Sequence, residues 1–160
     1  QRLAPPEGPM LILWRLLHFF GFVFWFVGLL GTTSAQVAAR KARDPEARRG
    51  AWAVVRRLQP MEIVGMILTP LSGIWLTKTV YGGLFGSSPP FVHIKLLLVI
   101  IAVVFNVLVI VKRRKAETAL LAGDHGGFLA ALRTISIFEG IATLMLPAAI
   151  VVVVVLKYGG

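Results

Sequence analysis

Two histidines lie inside apolar stretches, and their neighbours suit them to hold a flat, metal-centred group. His18 shares a helical face with Trp14, Gly21, Phe22, Trp25 and Gly28, at spacings of three and four residues. A neutral imidazole among aromatic side chains is a good axial ligand for haem iron. Glycines let a planar group or another backbone come close. His93 opens a second apolar stretch in Phe91-Val92-His93-Ile94-Lys95-Leu96. The expectation is a haem b whose iron is ligated by His18 and His93, with Lys95, Gly21, Trp14 and Trp25 completing the pocket. Lys95 either meets a haem propionate or substrate carboxylate, or snorkels to the headgroups. The alternative is a cofactor-free chain whose histidines hydrogen-bond neighbouring helices. His125, in Gly123-Asp124-His125-Gly126-Gly127, is expected in water.

Other chemistry is scarce. With no cysteine among the 160 residues, disulfides, thiolate metal sites and cysteine nucleophiles are excluded. There is no phosphate loop, no Ser/His/Asp order and no carboxylate-rich metal box. The four methionines, at 10, 61, 66 and 145, are scattered and give a copper path little support.

The elements that must position these residues follow from hydropathy. The chain is 57% apolar and 15% charged, with a mean hydropathy of +0.81; water-soluble domains are nearer about 45–50% and about 25%. Four apolar stretches, at about 10–33, 60–80, 91–111 and 134–156, each reach the ~20 residues that cross a bilayer as a helix. The run Val151-Val152-Val153-Val154-Val155 would suit a strand in water, but a lone strand in lipid leaves its backbone unpaired, so helix is expected. The reading is a single all-α transmembrane domain over 1–160, a four-helix bundle. Residues 4–9, Ala-Pro-Pro-Glu-Gly-Pro, read as an irregular lead-in, and Gln1 suggests that the true start lies upstream or was removed.

Charge orients the bundle. Of 17 basic residues, 12 fall in 34–59 and 112–133, whereas the connection from Tyr81 to Pro90 has none. The positive-inside rule then puts both basic segments in the cytoplasm and both termini outside. The net charge of +10 is accounted for by this topology, and no nucleic-acid partner is expected.

The halves of the chain echo each other. Arg56, Glu62 and Pro70 recur 77 residues later as Arg133, Glu139 and Pro147, and His18 recurs 75 later as His93. This pattern predicts two helical hairpins inserted in the same direction, related by an axis along the membrane normal. Glu62 and Glu139 are expected to pair with Arg56, Arg57 or Arg133, or else to relay protons. Pro70 and Pro147 are expected to kink their helices and open room near the histidines.

Leu17-His18-Phe19-Phe20-Gly21, Trp25-Phe26-Val27-Gly28, Ser72-Gly73-Ile74-Trp75-Leu76 and Phe91-Val92-His93-Ile94-Lys95-Leu96-Leu97-Leu98-Val99 resemble segments of the four-helix bacterial membrane protoporphyrinogen oxidases and the related copper-resistance D proteins. The resemblance implies haem b, reliance on His18 and Lys95, and a multi-pass place in a bacterial inner membrane. The start of the fourth helix departs from the oxidase pattern, with no Asn before Glu139 and Pro147 eight residues after it. The resemblance therefore implies the haem site more directly than the oxidase activity. The expected function is electron transfer through haem b, with a redox partner or larger membrane complex. The alternatives are a structural accessory subunit and a copper-handling permease.

Overall fold

The structure is a computed structural model that describes residues 8–83 and 88–158. The expected lead-in at 4–7 and residues 84–87 of the uncharged connection lie outside the described residues. Four helices follow one another: α1 (Pro9–Lys41), α2 (Pro45–Tyr81), α3 (Pro90–Leu121) and α4 (His125–Tyr158). All four are long and apolar enough to span a membrane, so the all-α, four-helix membrane architecture holds.

The helices are longer than the apolar stretches. They have 33, 37, 32 and 34 residues, roughly 50 Å each at 1.5 Å per residue, against a hydrocarbon layer of ~30 Å. Residues 34–59, expected as a loop, are instead helical except for Ala42, Arg43 and Asp44. Local chemistry explains both sharp turns at this end. The Asp44 side chain accepts from the Ala47 N–H at 2.8 Å and Pro45 follows at the first helical position, the usual start signals. At the second turn, Gly123 takes φ +73 and Asp124 Oδ1 accepts from the Gly127 N–H at 2.9 Å. His125 is exposed there, as expected.

The helical extensions have their own core. Ala35, Ala39, Trp52, Val55, Ala116 and Phe128 are among its buried members, and Trp52 meets Phe128 edge to face at 5.5 Å. A second core, with Trp25, Leu29, Met66, Val99, Ala142 and Leu146, lies toward the end that carries the chain termini. We call these the basic end and the terminal end. Leu13, Phe20, Ile67, Leu97, Ile100 and Leu144 are among many exposed apolar side chains, a surface suited to lipid and not to water.

The four helices form a ring in chain order, with α1 against α2 and α3 against α4 as the extensive interfaces and the α2–α3 and α1–α4 seams sparse. Glycines set the α1–α2 interface. A Cβ at Gly21 would stand 3.0 Å from the Thr69 backbone nitrogen, one at Gly28 would stand 2.8 Å from Glu62 Cα, and one at Gly65 would overlap the Trp25 backbone. Helices in lipid gain from such close approach because no hydrophobic force drives them together.

The repeat is visible in the packing. Trp25, Thr32, Gln36 and Ala39 of α1 are buried, and so are Ala102, Val109, Arg113 and Ala116 of α3, each 77 residues further on. Glu62 and Thr69 of α2 correspond in the same way to Glu139 and Leu146 of α4, all buried. At this constant offset the counterpart of His18 is Lys95, where the spacing of 75 pointed to His93.

Candidate functional site

Two polar layers interrupt the apolar interior. The outer one, near the terminal end, is built on His18. Its Nδ1 lies 2.9 Å from the Thr69 carbonyl oxygen and 3.1 Å from Ser72 Oγ. A carbonyl only accepts, so Nδ1 carries the hydrogen and Nε2 presents a lone pair. Lys95 Nζ stands 3.3 Å from Nε2 and donates to it. The imidazole fits because Gly73 has no side chain: a Cβ there would sit 3.0 Å from His18 Cε1. This layer joins α1, α2 and α3.

A cavity of about 300 Å³ opens from His18 and Lys95 toward α4, lined also by Arg15, Phe19, Phe22 and Leu146. A smaller one of about 50 Å³ lies between α2 and α3, where Pro70, Gly73, Thr77 and Val92 meet His18 and Lys95. Pro70 thus borders the site, as do Leu146 and Ala149 on either side of Pro147. The walls are mostly apolar, with cationic or imidazole groups gathered at one place, the usual make-up of a small-molecule site.

The other expected pocket residues are placed differently. His93 lines neither cavity. It lies two positions before Lys95, about 200° round the helix at 3.6 residues per turn, so the group facing His18 from α3 is Lys95. The space beside Gly21 is taken by the α2 backbone at Leu68 and Thr69, and no macrocycle can use it. Trp25 is 0% exposed within the core and its backbone packs on Gly65. Trp14 stacks on Trp75 with ring centres 4.8 Å apart. These three residues join α1 to α2 and do not line the cavity. The spacing argument grouped on one face of α1 residues that the structure divides between helix packing and the cavity wall.

The inner layer, toward the basic end, escaped the sequence reading in its central member. Arg113, read as one cation of a loop cluster, is buried at 2% exposure. Its Nη1 donates to Glu62 Oε2 at 2.7 Å, and its Nη2 donates to Glu139 Oε1 at 2.6 Å and Thr32 Oγ1 at 2.8 Å. Gln36 Nε2 donates to the same Glu139 oxygen at 2.5 Å, and the Thr33 hydroxyl, 2.8 Å from the Leu29 carbonyl, lies 3.2 Å from Glu139 Oε2. The two glutamates therefore do pair with arginine, but with Arg113 and not with Arg56, Arg57 or Arg133. Arg56 instead lies 3.4 Å from Glu117 at the surface. Side chains on an α-helix lean toward its N-terminus, so Arg113 points away from its charged neighbours and into the bundle.

These features define a multi-pass integral membrane protein whose four helices enclose two polar layers. The chain belongs to the family of predicted integral membrane proteins DUF2269, which matches residues 12–158. No curated protein and no solved structure matches it significantly.

Proposed function

We propose that the protein binds a b-type haem at the outer layer and passes electrons within the membrane, as a subunit or partner of a redox complex. The supporting observation is the state of His18. With its Nδ1 hydrogen committed to the Thr69 carbonyl, Nε2 offers a lone pair at the edge of the 300 Å³ cavity. A backbone acceptor on the far nitrogen is the arrangement that orients ligating histidines. Lys95 and Arg15 border the same cavity and suit the carboxylates of an amphipathic ring. The sequence resemblance to the four-helix protoporphyrinogen oxidases points to the same two residues, His18 and Lys95.

The group, when bound, supplies a one-electron couple that the polypeptide lacks. The chain's part is to orient the imidazole through Thr69 and Ser72, to exclude water with Phe19, Phe22 and the aliphatic face of α4, and to hold negative groups with Lys95. Because Lys95 Nζ stands next to Nε2, its flexible side chain must turn aside for a ligand to reach that nitrogen. A visible spectrum of protein purified from haem-replete cells tests the reading. The wild type is expected to show a Soret band with reducible α and β bands. His18→Ala should lose them, while His93→Ala and His125→Ala should retain them. A haem-free wild type overturns the reading and leaves a cofactor-free accessory subunit.

The proposed orientation puts the basic end in the cytoplasm, since the residues around both short turns carry most of the Lys and Arg. The chain has no cysteine, so single probes are unambiguous. Cysteines at Ser88 and Ala47 are expected to label from opposite sides of the membrane, Ser88 from outside. Labelling of Ala47 from outside would reverse the assignment.

A further inference from the structure

The inner layer contains two carboxyl groups and one guanidinium. Glu62, Glu139 and Arg113 are all 2% exposed or less. Their partners from α1, namely Thr32, Thr33 and Gln36, are neutral. Arg113 also lines a cleft of about 230 Å³ between α2 and α3, together with Arg56, Gln59, Arg114 and Glu117. Of these, Arg56 and Glu117 pair with each other, and Arg114 is exposed. An unbalanced charge held away from water is costly, so the layer calls for one more positive charge.

The hydrogen bonds indicate where it goes. Oε1 of Glu139 accepts from Arg113 and Gln36, whereas Oε2 lies 3.2 Å from the Thr33 hydroxyl, whose one hydrogen is nearer the Leu29 carbonyl at 2.8 Å. In Glu62, Oε2 is held by Arg113 and Thr32, and Oε1 is fully buried with no hydrogen-bond partner among the described residues. Asn106, 0% exposed, likewise has no partner for either amide atom among the described residues. It lies on the α3 face that carries Arg113 seven residues later and Lys95 eleven residues earlier.

We infer that the inner layer is a proton-holding site: Glu62 and Glu139 together hold one exchangeable proton against the single charge of Arg113. The proton comes from water in the cleft at the basic end. A hydronium ion gives it to the carboxylate pair and leaves as water, and release is the reverse. The inference is independent of haem, because the charges that require the proton belong to the polypeptide.

Infrared spectroscopy of the purified, reconstituted protein tests this directly. At neutral pH the wild type is expected to show one carbonyl band of a protonated carboxylic acid that shifts on transfer to D₂O. Charge counting predicts that Glu62→Gln and Glu139→Gln each lose the band, since either leaves one carboxylate facing one guanidinium. Unchanged melting temperature within a few degrees shows that these near-isosteric variants remain folded. Loss in both variants supports the site. Three results overturn it: no acid band in the wild type, a band that does not shift in D₂O, or a band that survives both substitutions. An absent band together with sodium-dependent melting would assign the extra charge to a metal cation instead.

Discussion

Replacing Arg113 by Met is expected to destabilise the protein by about 3–5 kcal/mol, the usual consequence of removing one member of a buried ion network. The substitution deletes both salt bridges, at 2.7 and 2.6 Å, together with the hydrogen bond to Thr32, and leaves two buried carboxyl groups facing each other. Methionine fills much of the space, so the loss reads the charge and not a cavity. Arg114→Met is the matched control. Arg114 is the next residue and is exposed, and substitutions there should stay within about 0.5 kcal/mol. Denaturant titration in detergent micelles measures both. Equal, small effects would mean that Arg113 is not the centre of the inner layer.

The second large effect is expected at Gly65. A Cβ at this position would overlap the Trp25 backbone nitrogen and crowd the Gly21 carbonyl. Backbone cannot swing aside as a long side chain can, so α1 and α2 must separate. Gly65→Val should destabilise by about 3 kcal/mol, the upper part of the overpacking range. The substitution should also loosen the outer layer, because His18 depends on α2 for its Thr69 partner. Gly140 provides a contrast of opposite sign. Nothing lies within 4 Å of a Cβ there, and Gly140→Ala should stabilise α4 by up to about 1 kcal/mol through helix propensity alone. Thermal melts of the two variants should therefore move in opposite directions.

Hydropathy located all four helices because lipid rewards every apolar turn of a spanning segment. It could not place their ends at the basic side. There the helices enter water, and the signal changes from total hydropathy to single buried residues such as Trp52, Val55 and Phe128. Arg113 was hidden for a related reason. It stands in Lys112-Arg113-Arg114-Lys115, and composition does not tell which of four cations turns inward. The repeat held that information: 77 residues before Arg113 is Gln36, a polar residue in an apolar helix. His18 was legible as a polar residue turned toward the neighbouring helices, where it meets Thr69 and Ser72. The choice between His93 and Lys95 needed the same offset, which pairs His18 with Lys95. Gly21 and Trp25 were misassigned because small and aromatic residues serve ligand pockets and helix seams alike, and only the position of α2 separates the two uses.

The unequal seams give the molecule a mechanical character. α1 with α2 and α3 with α4 form two broad, closely fitted pairs, whereas α2 with α3 and α1 with α4 meet sparsely. Such an object behaves as two stiff beams joined by a compliant joint. The Arg113 cluster ties all four helices near the basic end and acts as its pivot. At the terminal end the His18–Lys95 contact spans the same joint. The outer cavity draws its walls from all four helices, so whatever fills it bridges the two beams.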